Sequence, residues 1–399
     1  MNSKEIMDLT EDNCFHVYNR FNVVFDKGDG VTLYDVEGKE YLDFASGIGV
    51  MALGYNNKEF NDAIKAQVDK LYHTSNLYYH PALADAAKKL CEISGMDKVF
   101  FTNSGAEAVE GAIKTAKKYA YNKYDRSGYG IIAMDNSFHG RTVGALSVTG
   151  TEAYRKAFLP LMDKVTFATY NDYDSVEAAI DADICAIILE PVQGEGGVMP
   201  ADKEFLQKIR KVCDERDIIL IFDEIQCGMG RTGSVYAYQD YDVKPDILLT
   251  AKALGGGLPI GAFLVTDKVA SSSLVPGDHG TTYGGNPLCT AAVKASIDLM
   301  LKNDLVGNVN SLAPYLESKL DEVVDSCKCA IGHRGKGFMQ GIVLDDSIKA
   351  SDVVKTCLDK GLVVLSAGGN VLRLLPPLVI SKEDIDKAIE IIKYSLNVT

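Results

Sequence analysis

The sequence predicts an α/β fold in which a large unit with a mainly parallel sheet between helices is joined to a smaller α+β unit. Two observations carry this. Between about residues 58 and 250, short runs that are apolar on both faces alternate with helical periodicity, the signature of strands buried between two helix layers. After about residue 287 the texture changes to longer helices and a few short strands.

Taken in order, VTLYDVEGKEYLDF alternates apolar and polar residues around Glu37-Gly38-Lys39 and reads as a β-hairpin over 31–44. A glycine-rich loop, ASGIGVMALGY, follows. Helical periodicity at 58–71 and 81–94 leads to the strand VFFTN and a helix from 105 to about 123. The further strands are IIAMD (131–135), ICAIILE (184–190), IILIFDE (218–224) and DILLT (246–250), with helical segments at 173–182 and 202–216. Helices at 287–302 and 308–325, short strands near 338–344 and 362–374 and a closing helix at 382–395 complete the chain. The expected division is a large domain over 55–285 and a small domain formed by both termini, 1–54 and 286–399, the hairpin joining the latter.

Composition narrows the function. The 399 residues hold 41 Lys plus Arg against 55 Asp plus Glu, and a net charge of −14 argues against nucleic acid as a partner. Nine scattered cysteines show no metal-binding spacing, so free thiols in a reducing compartment and no metal are expected. No stretch has the form of a signal peptide or a membrane span, which predicts a soluble, cytoplasmic protein with no membrane partner.

Four stretches carry chemistry. In Phe101-Thr-Asn-Ser-Gly-Ala-Glu-Ala108 a strand ends in a small-residue turn and opens a helix, a place suited to a phosphate with Ser104 as a hydroxyl donor; Ser104 acting only as an N-cap is the alternative. Asp223-Glu-Ile-Gln226 stands where a buried strand runs out, so a carboxylate there meets a cationic ligand group or merely forms a turn. Gly228-Met-Gly-Arg-Thr-Gly233 satisfies G-x-G-x-x-G, yet it opens no helix, which argues against a dinucleotide site. Lys252 lies just past DILLT with alanines beside it and a triple glycine behind, where a poorly solvated amine attacks a carbonyl; a solvated surface lysine is the alternative.

Anion cradle, strand-end carboxylate and strand-end amine are together what pyridoxal 5'-phosphate needs. From YDVEGKEYLDFASGIGV through HTSNLYY, NSGAEA, FHGRT, EPVQGEGG, DEIQCGMGRTG, AKALGGGLPIGA and YGGNPL to VLRLLPPL, the chain closely resembles the class III (subgroup II) pyridoxal-phosphate aminotransferases. The resemblance implies a fold type I transferase, a homodimer with cofactor sites at the subunit interface, and the transfer of an amino group from a small-molecule amine donor to 2-oxoglutarate. Within the class, the length and the HTSNLYY, FHGRT and AGGNVLRLLPPL segments are most similar to the branch that acts on N2-acetyl-L-ornithine in arginine biosynthesis. Ornithine, 4-aminobutyrate and succinyldiaminopimelate are the neighbouring donors, which differ mainly at the far end of the pocket, where Tyr18, Asn76, Tyr78 and nearby loops are expected.

By the same resemblance Lys252 bonds the cofactor's aldehyde carbon and Asp223 partners the ring nitrogen. Gln226 comes near the ring's phenolic oxygen, flanked by Glu224 and Ile225 in the cofactor-binding segment. Gly105 and Ala106 form the phosphate turn beside Ser104, Phe138 stacks on the ring, and Thr282 reaches the phosphate of the other subunit. Arg141 binds the substrate carboxylate and Thr281 contacts substrate, whereas Glu195 and Arg373 form a gate in which the glutamate masks an arginine meant for an α-carboxylate. Val109 and Gly111 depart from the asparagine and alanine often found in the family. Against these stand a nicotinamide oxidoreductase, resting only on the glycines of 228–233, and a non-catalytic cofactor-binding regulator.

Overall fold

The computed structural model describes residues 1–125 and 129–399. The first three strands are β1 (Phe25–Asp29), β2 (Thr32–Asp35) and β3 (Glu40–Asp43). The central sheet uses β4 (Lys98–Thr102), β5 (Gly130–Met134), β6 (Val165–Ala168), β7 (Ile184–Leu189), β10 (Ile219–Asp223), β11 (Ile247–Thr250) and β12 (Gly261–Val265), with a small ladder, β8 (Val192–Gln193) and β9 (Met199–Pro200), between β7 and β10. Its order is β4-β12-β11-β10-β7-β5-β6, and only β12 runs against the others. Every residue of β5, β10, β11 and β12 is buried, as expected of strands covered on both faces.

The C-terminal strands are β13 (Ala330–Lys336), β14 (Met339–Leu344), β15 (Leu362–Val363), β16 (Leu365–Ala367) and β17 (Val371–Leu374). Residue Leu362 of β15 pairs in parallel with Leu42 of β3, so the N-terminal strands and a C-terminal strand share one sheet. The remaining strands form the order β13-β14-β17-β16.

An unexpected helix, Ser3–Asn13, starts with a capping box between Asn2 and Glu5 and buries none of its residues. Its apolar stripe is only Ile6, Met7 and Leu9 among polar residues, too short a repeat for periodicity to reveal. The edge strand β6 and the antiparallel β12 also lay outside the sequence expectation, since Gly-Gly-Gly-Leu-Pro before β12 reads as loop.

The departure at Gly111 has a packing cause. Helix Gly105–Tyr124 lays Ala108, Ala112 and Ala116 on the sheet, and a Cβ added at Gly111 would stand 2.3 Å from Cε1 of Phe263, whose ring stacks on Phe100 at 5.2 Å. An alanine at this position would therefore overpack the contact. We expect Gly111→Ala to lower stability by about 1–3 kcal/mol, read as a lower urea midpoint at unchanged slope; an unchanged midpoint would show that the Phe100–Phe263 pair yields freely.

Candidate active site

Ligands of open α/β sheets lie beyond the carboxyl ends of the strands. Here a cavity of about 450 Å³ occupies that edge, with side chains that follow β4, β5, β7, β10 and β11 on its wall.

At the end of β4, Ser104 caps helix Gly105–Tyr124: its hydroxyl accepts from the Glu107 amide at 3.2 Å. The N-cap role and a place on the cavity wall coexist, because the capped turn presents Gly105 and Ala106 to the cavity at the positive end of a 20-residue helix. A Cβ at Gly105 would lie 2.8 Å from Ile225 Cδ1, so glycine is required for Ile225 to pack against the turn.

At the end of β10, Asp223 is buried. Its Oδ1 accepts from the Ile225 amide at 3.0 Å and its Oδ2 lies 2.8 Å from Nδ1 of His139. The His139 amide donates to Thr149 Oγ1 at 3.0 Å, while its Nε2 is buried without a partner. This histidine was missed although FHGRT contains it; its signal was a histidine placed beside an expected ring-stacking residue.

After β11, Lys252 takes φ +47°, a left-handed conformation rare outside glycine, and begins the 3₁₀ turn Lys252–Gly255. Such strain persists only where packing enforces it. Burial pushes its ammonium below the usual lysine range, Arg373 adds to the effect, and Glu195, Asp223 and Glu190 oppose it. The result is an amine biased toward its unprotonated, nucleophilic form.

Arg373, on β17, donates through one nitrogen to Glu195 Oε1 at 2.6 Å and to Gln226 Oε1 at 3.1 Å, and its buried Nε has no partner. Residues 178 positions apart thus meet as an ion pair, with Glu195 on the cavity wall. Arg141 is exposed at the cavity, its guanidinium 4.0 Å from the Tyr154 ring centroid and 5.2 Å from that of Phe138. Stacking of this kind fixes the plane of the fork.

Glu190, just past β7, was also missed. It is a carboxylate closing an apolar run, the same signal that exposed Asp223. Its Oε2 accepts from the Phe138 amide at 3.1 Å and its Oε1 from the Gly194 amide at 3.2 Å.

Four expected site residues are not on the wall of this cavity: Glu224, Thr281, Thr282, which is expected at the other subunit's phosphate, and Arg373, which meets the wall through Glu195 and Gln226. The Glu224 carboxylate accepts from the Ala237 and Tyr238 amides at 2.5 and 2.8 Å, because the residue after Asp223 turns away from the cavity, and burial pushes it up to about 8. Its side chain therefore anchors a neighbouring turn. Thr281 accepts through Oγ1 from Asn103 at 2.9 Å, which couples its turn to the end of β4, and Thr282 is exposed. Asn76, expected in the donor pocket, instead braces this turn through bonds to the Thr281 and Gly284 carbonyls at 3.2 and 2.8 Å. Tyr18 and Tyr78 stand exposed away from the wall.

The glycines of 228–233 bind no nucleotide turn. A Cβ at Gly230 or Gly233 would meet Leu378 at 2.9 Å or Asn310 at 2.3 Å, and Arg231 is buried with its guanidinium on the carbonyls of Pro376 and Phe338. The loop is a close joint to the C-terminal elements.

The residues fit pyridoxal phosphate on the structure's own terms: a helix N-terminus for an anion, a buried carboxylate with its histidine for a ring cation, the unpartnered buried His139 Nε2, and a desolvated amine, all on one wall. Comparison with known proteins agrees. Residues 15–396 match the family described as Aminotransferase class-III. The chain is 47% identical over 389 residues to an acetylornithine aminotransferase of Clostridium acetobutylicum, covering 97% of this chain and all of the relative. It is 44% identical to one of Methanocaldococcus jannaschii, covering 98% and 97%. Among solved structures, an ornithine aminotransferase of Toxoplasma gondii superposes with a TM-score of 0.95 at 30% identity, over 100% of this chain and 95% of that one. An acetylornithine aminotransferase of Elizabethkingia anophelis gives 0.89 at 31%, over all of both chains. A match over nearly the full length, with the cradle, the carboxylate and the lysine in one cavity, places this chain in the class-III aminotransferase family of pyridoxal-phosphate enzymes.

Proposed function

We propose that this chain moves the terminal amino group of N2-acetyl-L-ornithine to 2-oxoglutarate, giving N-acetyl-L-glutamate 5-semialdehyde and L-glutamate, as a homodimer in the cytoplasm. The observation that carries the reading is the masked arginine: Arg373 is held by Glu195 while Arg141 stays exposed at the cavity. A donor with one free carboxylate and an acylated α-nitrogen needs a single arginine, which Arg141 supplies. Glutamate and 2-oxoglutarate carry two carboxylates, so Glu195 must swing aside to release Arg373 for the second.

When bound, the cofactor supplies an aldehyde for the donor's amine and an electron-poor ring that spreads the charge left on the donor carbon. Lys252 Nζ, whose proton burial makes easier to lose, would take the proton from that carbon and return it to the carbon on the far side of the donor nitrogen. Asp223, its charge supported by His139 Nδ1 and the Ile225 amide, holds a proton on the ring nitrogen. Phe138 and Ile225 both line the cavity and would offer apolar surface to a flat ring.

The dimer reading is supported by the exposed apolar side chains Leu77, Tyr78, Tyr79 and Tyr283 around the braced Thr281–Thr282 turn, a patch of the kind that a subunit covers. There Thr282 would reach a partner's phosphate. No helix among the described residues is long and apolar enough to cross a membrane.

A panel of amine donors at fixed 2-oxoglutarate tests the substrate. N-acetylornithine is expected to give the highest kcat/KM, ahead of ornithine, 4-aminobutyrate and succinyldiaminopimelate. A clear preference for 4-aminobutyrate would overturn the assignment.

A further inference from the structure

Glu190 takes no part in the chemistry just described, yet it occupies the cavity wall and is almost fully buried. Its own carbonyl is fixed by the Tyr170 hydroxyl at 2.7 Å, so the carboxylate projects from a rigid strand end. Each carboxylate oxygen then takes one backbone N–H from a different segment. Phe138, on Oε2, begins the run that carries His139 and Arg141, while Gly194, on Oε1, begins the loop that carries Glu195. Gly194 has little freedom of its own, since a Cβ there would fall 2.2 Å from Gln226 Oε1, the atom that also accepts from Arg373.

We propose that Glu190 is a positioning residue for the reaction: by bridging the Phe138 and Gly194 amides, its carboxylate sets the gate loop against the ring-stacking segment and so governs discrimination between the two amino-group donors. This rests on the gate reading above. Only a carboxylate offers two acceptor oxygens at this spacing; a carboxamide offers one oxygen and turns an N–H donor toward the other amide. Two backbone donors are also what a carboxylate pushed up to about 7 by burial, with Asp223 adding and His139 opposing, requires to stay in place.

Glu190→Gln tests this with two readouts. Amide hydrogen exchange at Phe138 and Gly194, measured on the cofactor-free protein, is expected to speed up about tenfold or more at one of the two, the scale of one lost hydrogen bond to a charged acceptor. The ratio of kcat/KM for glutamate to that for N-acetylornithine is expected to shift about fivefold or more toward glutamate, because a loosened Glu195 masks Arg373 less well. Both half-reactions falling in equal proportion, or both amides staying as protected as in the wild type, would overturn the proposal. If the Gln variant does not fold, Glu190→Asp, one methylene too short to reach both amides, is read in the same way. A wild-type protein that transaminates no donor in the panel would refute the functional reading instead, and amide exchange would then decide the bridge alone.

Discussion

Replacing Lys252 with alanine lowers kcat by about 10⁴-fold or more while leaving the protein folded. The loss is large because this one amine is both the group that bonds the cofactor and the base that moves the proton, and among the described cavity residues no second lysine lines the wall. Folding survives for two reasons. Alanine meets the same backbone strain at φ +47°, so nothing new is imposed on the turn, and the variant sheds an ammonium whose burial is unfavourable. Steady-state turnover with N-acetylornithine, beside thermal unfolding of both proteins, measures each half of this expectation. A small primary amine added to the variant should restore part of the proton transfer, since removing the side chain leaves room for it at the cavity wall. A fall of less than about tenfold would assign the base to another residue.

That Lys252 could be singled out from sequence, whereas Glu190 and His139 could not, follows from what each depends on. Lys252 and Asp223 stand at the ends of apolar strands, and a strand end in an open parallel sheet is a defined place before any tertiary contact is known. The same logic applied to Glu190, but its meaning comes from the amides of Phe138 and Gly194, one of them 52 residues earlier in the chain, and no spacing announces that meeting. His139 likewise gains its role only when β5 and β10 bring its ring to Asp223 across 84 residues. Conversely, Glu224 and Asn76 were placed at the site through neighbours in sequence, and the structure turns both toward backbone groups elsewhere. In the fold, most strands buried on both faces were legible, whereas β12 was hidden by the Gly-Pro cluster before it and the helix Ser3–Asn13 by the shortness of its apolar stripe. The pairing of β15 with β3, which joins the two ends of the chain, has no local signal at all.

Asp223→Asn is the second large effect, an expected loss of about 10²–10³-fold in kcat with KM for the donor changed little, the scale of removing one preorganised electrostatic contact from a transition state. Asparagine keeps the volume and an oxygen for the Ile225 amide, so β10 should end as before. What changes is charge and proton placement. The new amide nitrogen would face His139 Nδ1, and two donors cannot share a hydrogen bond, so the imidazole must move its proton to Nε2. That nitrogen is already buried with no partner, so the switch turns an unpaired acceptor into an unpaired N–H donor while the cofactor's ring nitrogen would lose its counter-charge. Asp223→Glu separates the two causes: it keeps the charge and displaces it by one methylene. A glutamate variant that recovers most of the lost rate would place the weight on charge, and an equally slow one on geometry. If the asparagine variant instead turned over within about threefold of wild type, the ring nitrogen would need no anionic partner here, and the electrostatic role given to β10's last residue would be wrong.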